Sequence, residues 1–284
     1  MRCIFCKQDS SKTKSVEHII PESLGNKTSV LPKGFVCDRC NNYFAHEVEK
    51  PFMEQMNIQL LRFEESIPNK KNKIPSISGI FEGNKVTIHK KIANDQAFFN
   101  IDVSQELAEK LINRDKCFQL ILPAFNEEIL PEQNSITSRF VAKIALEALS
   151  IRIKDDEEWL EYLVNDPQFD AIREHARLGS TKKWPCSVRR IYSAHRLWDF
   201  GDHLYSQIVH EFDFLFINSS GEQVNHDYVQ AELYFIIALW GIEFAINIGG
   251  PEIEGYEKWL TEHNGISPLY HGKNKLSNRT KYIY

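Results

Sequence analysis

The sequence predicts an α+β protein in which a zinc-stapled N-terminal module precedes a mixed α+β domain with an antiparallel sheet. Three observations carry this. Four of the six cysteines form two Cys-x-x-Cys pairs, residues 139–153 repeat apolar side chains at helical spacing, and the C-terminal third turns to strand-like runs. At 284 residues, with 42% hydrophobic and 26% charged side chains, the chain can bury a sizeable core.

The pairs are Cys3/Cys6 and Cys37/Cys40. Each presents two thiolates to one side of a tetrahedral zinc ion, and the 30 residues between them close the loop. Redox Cys-x-x-Cys motifs come singly beside a βαβ unit, which this segment does not resemble. Cys117 and Cys186 stand alone in apolar surroundings and read as small buried side chains. The N-terminus lacks the apolar centre of a secretory signal, which places the chain in a reducing cytoplasm where thiols favour metal over disulfide. The longest apolar stretch, Leu233 to Ile242, is bounded by Glu232 and Glu243 and falls short of the ~20 residues that span a bilayer, so no membrane partner is expected.

Inside the zinc loop runs Ser15-Val16-Glu17-His18-Ile19-Ile20-Pro21-Glu22-Ser23-Leu24-Gly25-Asn26. It reads as a short strand ending at Pro21 and a glycine-containing loop. After the second pair, Asn41-Asn42-Tyr43-Phe44-Ala45-His46-Glu47-Val48-Glu49-Lys50-Pro51 places Tyr43, Phe44 and Val48 at helical spacing, a helix expected to stop near Pro51. Glu17 is a hard oxygen ligand suited to Mg²⁺ or Mn²⁺, and His18, with an ordinary pKa of about 6.5, takes a proton from water at neutral pH. Strand neighbours normally point to opposite faces, so the two serve one substrate only at a twisted strand end.

This order of motifs resembles the HNH nucleases, the ββα-metal group, in the variant with Cys-x-x-Cys, Glu-His-Ile-Ile-Pro, Leu-Gly and Cys-x-x-Cys-Asn-Asn. The likeness covers about residues 3 to 52, less than a fifth of the chain. It implies a hairpin and helix around one catalytic Mg²⁺ or Mn²⁺, with the four cysteines holding a separate structural zinc. Glu17 matches the acidic metal ligand, His18 the general base and Asn41 the second metal ligand. Asn42 and His46, spaced i, i+4, offer an alternative ligand pair, and Asn26 reads as a loop-fixing residue. Ala45 stands where such sequences carry glycine. The implied reaction is endonucleolytic hydrolysis of DNA, with RNA chemically open to the same groups, and the implied setting is microbial defence. The rival reading is a non-catalytic zinc module that binds nucleic acid or a protein partner.

The module, residues 1–55, leads through a linker at 56–75 to an α+β domain over 76–284 with a partner- or DNA-binding role. Met56 to Phe63 is amphipathic, and Ile67 to Lys73 is polar and basic. Ile77 to Phe81 and Val86 to Lys90 around Glu82-Gly83-Asn84 read as a hairpin, and Asp102 to Asn113 as a helix with Ser104 near its start. Helices follow at 139–153, 159–164 and 169–176. Strands at 208–218 and 231–248 surround a turn at Gly221, with Tyr234, Phe235, Trp240 and Phe244 as core.

The net charge of −5 argues against a chain that coats nucleic acid with its whole surface. It divides unevenly. Residues 1–74 hold 12 Lys/Arg against 9 Asp/Glu, net +3, and the remainder 22 against 30, net −8. Within the acidic part, Lys182, Lys183, Arg189 and Arg190 cluster around Trp184 and offer a phosphate-binding patch with a stacking indole, or else a solvated loop. The acidic remainder suggests a sensor, a surface for a regulatory protein partner or homo-oligomer, or a restraint on the nuclease.

Overall fold

The computed structural model describes residues 1–94, 96–112, 118–179, 183–199, 204–218 and 231–269. In chain order the described elements are α1 (Asp38–Phe44), α2 (Lys50–Met53), α3 (Met56–Glu64), β1 (Ile77–Phe81), β2 (Asn84–Ala93), β3 (Gln96–Asp102), α4 (Gln105–Ile112) and β4 (Leu120–Ile121). They continue as α5 (Ser135–Arg152), α6 (Glu157–Asn165), α7 (Asp170–Leu178), β5 (Ser187–Arg190), β6 (Trp198–Asp199), β7 (Tyr205–Ser206), β8 (His210–Asn218), β9 (Ala231–Leu239), β10 (Ile242–Asn247) and α8 (Glu254–Glu262). This is an α+β architecture with antiparallel sheets. Among the described residues no helix is long and apolar enough to cross a membrane.

The elements fall into two compact units that interleave along the chain. One unit comprises residues 1–20, 28–52 and 130–284, and the other 21–27 and 53–129. The first unit is built on the sheet β5-β10-β9-β8. Every residue of β10 is buried, as expected for a central strand covered on both faces. Tyr234, Ile236, Ala238 and Ala245 pack with Tyr256 of α8. Toward α5, Phe52 stacks on Phe140 with ring centroids 3.8 Å apart and meets Phe244 edge-on at 6.0 Å. The end of the cysteine-rich segment, the long helix and the central strand therefore share one core.

Helix α5 starts where the side chain of Asn134 accepts a bond from the Thr137 amide at 3.1 Å, which satisfies an end donor. Nine of its buried residues between Thr137 and Ala148 would fit any buried helix, but Lys143 and Glu147 are buried with them. The predicted helices at 159–164 and 169–176 are α6 and α7, and Asp156 caps the former through the Glu158 and Trp159 amides. Strands β8 and β9 pair as expected, while the Gly221 turn lies outside the described residues.

The second unit is a sheet ordered β3-β2-β1-β4. Glu82 and Gly83 take positive φ angles of 47° and 77°, the left-handed pair that closes a tight hairpin between β1 and β2. One face carries Ile77, Phe81, Val86 and Ile88 onto Phe63 of α3 and Leu107 of α4. Ser104 opens α4 by accepting from the Leu107 amide at 3.2 Å.

The helical run after Cys40 ends at Met53, close to Pro51 as expected, but it is not one unbroken α-helix. Ala45–Glu49 form a wider π turn, and α2 begins at Lys50, so Pro51 sits in a first turn where its missing N–H costs nothing.

The β9–β10 connection makes a stability prediction. Trp240 and Gly241 have φ of 52° and 76°, and a Cβ on Gly241 would lie 2.0 Å from the Tyr192 carbonyl oxygen. Gly241→Ala should destabilise the fold by at least about 1–3 kcal/mol in urea unfolding, from the left-handed backbone alone.

Candidate functional site

The four cysteines converge. Their Sγ atoms all lie within 4.8 Å of one another, with Cys3 and Cys40 buried. The first knuckle is closed by the Cys3 amide donating to the Gln8 carbonyl at 2.8 Å and the Lys7 amide to the Cys3 carbonyl at 2.9 Å. In the second, Cys37 caps α1, its sulfur accepting from the Cys40 amide at 3.4 Å. The sulfur of Cys3 accepts from the Cys37 amide at the same distance and joins the knuckles. The Cys40 hydrogen bond holds the Cys3 thiol down near pKa 5, while the contact with Cys3 drives Cys40 far up. Four crowded sulfurs cannot all ionise unless a cation sits among them. This donor set fits a tetrahedral zinc and suggests a structural zinc site.

The Glu17–His18 segment runs beside the second knuckle. The Leu31 amide donates to the Glu17 carbonyl at 2.9 Å and the Ile19 amide to the Ser29 carbonyl at 3.0 Å, which makes a short antiparallel pair with His18 opposite Val30. The side chain of Asn41, from α1, donates to the Val16 carbonyl at 3.2 Å. The chain thus fastens Asn41 to the residue preceding Glu17. Asn41 and His18 are partly exposed, whereas Glu17 is buried. Asn42 and His46 are exposed, and Asn26 is buried.

Sequence reasoning missed what Glu17 faces. Lys143 of α5 has a fully buried side chain, and its Nζ donates to Glu17 Oε1 at 2.6 Å, to Glu49 Oε1 at 2.7 Å and to the His18 carbonyl at 3.3 Å. Glu147, one turn along α5, completes the surround at 3.0 Å. Burial alone would lower the Lys143 pKa, but the carboxylates of Glu147, Glu17 and Glu49 outweigh it and hold the ammonium charged. Burial pushes the Glu147 carboxyl up, although Lys143 opposes the shift. The sequence did hold a signal: Lys143 and Glu147 stand i, i+4 inside an otherwise apolar helical run.

Glu17 and Asn41 offer a carboxylate and an amide oxygen, the hard donors that Mg²⁺ or Mn²⁺ prefers. Glu17 Oε1 already accepts from Lys143, so an ion there would share this carboxylate with the ammonium.

Further contacts lock the cysteine-rich segment to the helices. Arg173, buried in α7, donates to the Ile4 carbonyl at 2.7 Å and to Asp170 at 2.6 Å. The Tyr43 hydroxyl donates to the Arg177 carbonyl, and Arg139 donates to the same carbonyl at 2.5 Å.

Among the described residues, the indole expected to stack at the surface around Lys183, Arg189 and Arg190 lies inside. Trp184 is buried, donates its indole N–H to the Asn247 carbonyl at 2.9 Å and stacks on His175. Arg189 is spent on the buried Glu243 and the Gly265 carbonyl, and Arg190 donates to the Trp240 carbonyl at 2.8 Å. Lys183 is exposed, and Lys182 lies outside the described residues, as does Cys117. Cys186 is buried, which raises its thiol to about 12.

Residues 3–57 match the HNH endonuclease family. No curated protein and no solved structure matches the chain.

Two outcomes follow from this geometry. Lys143→Met leaves three carboxylates facing one another in the interior, and should cost about 3–5 kcal/mol in denaturant unfolding. Cys37→Ser should abolish stoichiometric zinc, measured by metal release on thiol modification, and unfold the segment that the zinc staples.

Proposed function

We propose that residues 3–57 are the hydrolytic centre of a metal-dependent endonuclease acting on DNA phosphodiester bonds. His18 serves as general base, Glu17 and Asn41 hold one Mg²⁺ or Mn²⁺ ion, and Cys3, Cys6, Cys37 and Cys40 hold a separate zinc. The observation that supports this reading most is the Asn41–Val16 hydrogen bond, which ties α1 to the strand end bearing Glu17 and His18. The family match over the same residues supports a nuclease-type function and a nucleic-acid substrate.

In this reading the His18 imidazole takes a proton from a water held in line with the scissile bond. The water oxygen bonds to phosphorus as the bond to the 3′ oxygen breaks, leaving a 5′-phosphate and a 3′-hydroxyl. A divalent ion at Glu17 and Asn41 supplies positive charge against the charge that grows on the phosphate and the departing oxygen. The short strand pair fixes the His18 backbone, and Lys143 fixes the carboxylate beside it, so neither has to be ordered by substrate.

One observation favours the rival, a non-catalytic zinc module: Glu17 is buried and ion-paired, as a structural carboxylate would be. Plasmid nicking with Mg²⁺ or Mn²⁺ separates the two. His18→Ala should slow cleavage on the order of 10²-fold to 10⁴-fold while keeping its zinc. Equal cleavage by wild type and variant would leave the non-catalytic reading.

A further inference from the structure

The second unit carries a basic cleft of about 700 Å³ between the loop that follows α3 and the outer side of β2 and β3. Residues 66–94 contain six lysines and one acidic residue, Glu82, a local net of +5 in a chain whose total is −5. The loop is built to display this charge. The Asn69 side chain accepts from the Lys71 amide at 2.9 Å and the Lys73 amide at 3.1 Å, and the Asn69 amide donates to the Lys73 carbonyl at 2.9 Å. Lys70, Lys71 and Lys73 all stand exposed on this closed turn.

Across the cleft, β2 and β3 pair His89 with Asn100, both in its lining, and pair Lys91 of the lining with Phe98, which stands beside it on the ladder. Alternation puts these four on the face opposite Val86 and Ile88, whose side chains enter the core. Lys91 is exposed, and Phe98 keeps 49% of its surface in water, although a phenyl ring on a sheet normally finds cover. Not every charge here is available. Lys90 donates to the Phe63 and Glu64 carbonyls at the end of α3, at 2.9 and 2.8 Å, and His89 pairs with Asp102 at 2.7 Å. Lys73 and Lys91 are the cleft lysines that face solvent, with Asn72 and Asn100 beside them.

From this arrangement we infer that the cleft binds a single strand of nucleic acid, with Lys73 and Lys91 on its phosphates and a base stacked on Phe98. Exposed cations alone would suit any polyanion. An exposed ring placed across the ladder from a lysine adds a flat apolar surface for a base, which polyanions without bases cannot use. The choice of nucleic acid as the anion rests on the nuclease reading of residues 3–57, but the binding does not require cleavage.

The test is fluorescence anisotropy of a labelled mixed-sequence 20-mer, as single strand and as duplex, with the full chain and no added divalent cation. Wild type and His18→Ala should bind the single strand alike and prefer it to the duplex. The double variant Lys73→Glu/Lys91→Glu should bind at least ~10-fold more weakly, and its log–log salt slope should fall by about 1.4, the value for two lost phosphate contacts on a single strand. Phe98→Ala should weaken single-strand binding by about 5-fold to 100-fold and leave heparin binding unchanged. All three side chains are on the surface, so the fold should survive, as circular dichroism would verify. Wild-type affinity in the double variant, or a Phe98→Ala protein that binds the strand as wild type does, would overturn the inference. A His18→Ala protein that binds normally, beside a wild type that never cleaves, would sink the nuclease reading and leave the cleft standing.

Discussion

The ammonium of Lys143 is the interaction on which the described site depends. It is enclosed by oxygens from Glu17, Glu49, Glu147 and the His18 carbonyl, and Glu17 lies 126 positions from Lys143 in the chain. Taking an ammonium and its carboxylates out of water is expensive, and such a cluster is sustained only by close geometry. That requirement fixes the structure around it. If α5 slid by one turn, about 5.4 Å, Lys143 would lose Glu17 and Glu49 together. The register of α5 against the cysteine-rich segment is therefore set by charge, while the stacking of Phe52 on Phe140 supplies apolar burial at the same junction.

A consequence for the module follows. A segment of about fifty residues with four cysteines is the sort of unit that zinc alone can hold together. Here the staple is one of several restraints. Arg173 holds the Ile4 carbonyl, Arg139 and Tyr43 meet at the Arg177 carbonyl, and Lys143 holds the strand end that carries Glu17 and His18. The cysteine cluster brings the two knuckles together, and the later helices organise the acidic residues. Cut away from residues 130–269, Glu17 and Glu49 would keep their place in the sequence and lose the cation that orients them.

What was legible in the sequence was local. Two knuckles, a Glu-His pair, a glycine turn and an apolar helix each announce themselves within a few residues, and the described chain contains them. The contacts that give the site its electrostatics are non-local. Nothing near Glu17 points to Lys143, and nothing near Trp184 shows that its indole is directed at the Asn247 carbonyl. The helix end near Pro51 was legible too, but not the route to it. A proline forbids continuation of a ladder, but a π turn ends the ladder just before it and lets a new one begin. The buried Lys143 and Glu147 could have been suspected, since charges at helical spacing amid Phe140, Ile144 and Leu146 have no solvent face to reach.

The same distinction between residue and environment bears on charge. Formal sums weight every carboxylate equally, yet the field outside the protein comes from groups that water and solutes can approach. Part of the acidic excess after residue 74 is spent internally: Glu147 is buried on Lys143, and Glu243 on Arg189, Tyr256 and Ser267. Arg189 and Arg190, both half-buried, are likewise engaged with internal partners, and the indole beside them is buried. The lysines of residues 66–94 differ, because the Asn69 turn and the outer face of β2 hold most of them in water. A mildly acidic total is thus compatible with a strongly basic surface, provided that the acids are folded inward or placed elsewhere. For a chain with a nuclease-type segment, the location of solvent-facing lysines is a better guide to where a phosphate backbone can lie than the sign of the sum.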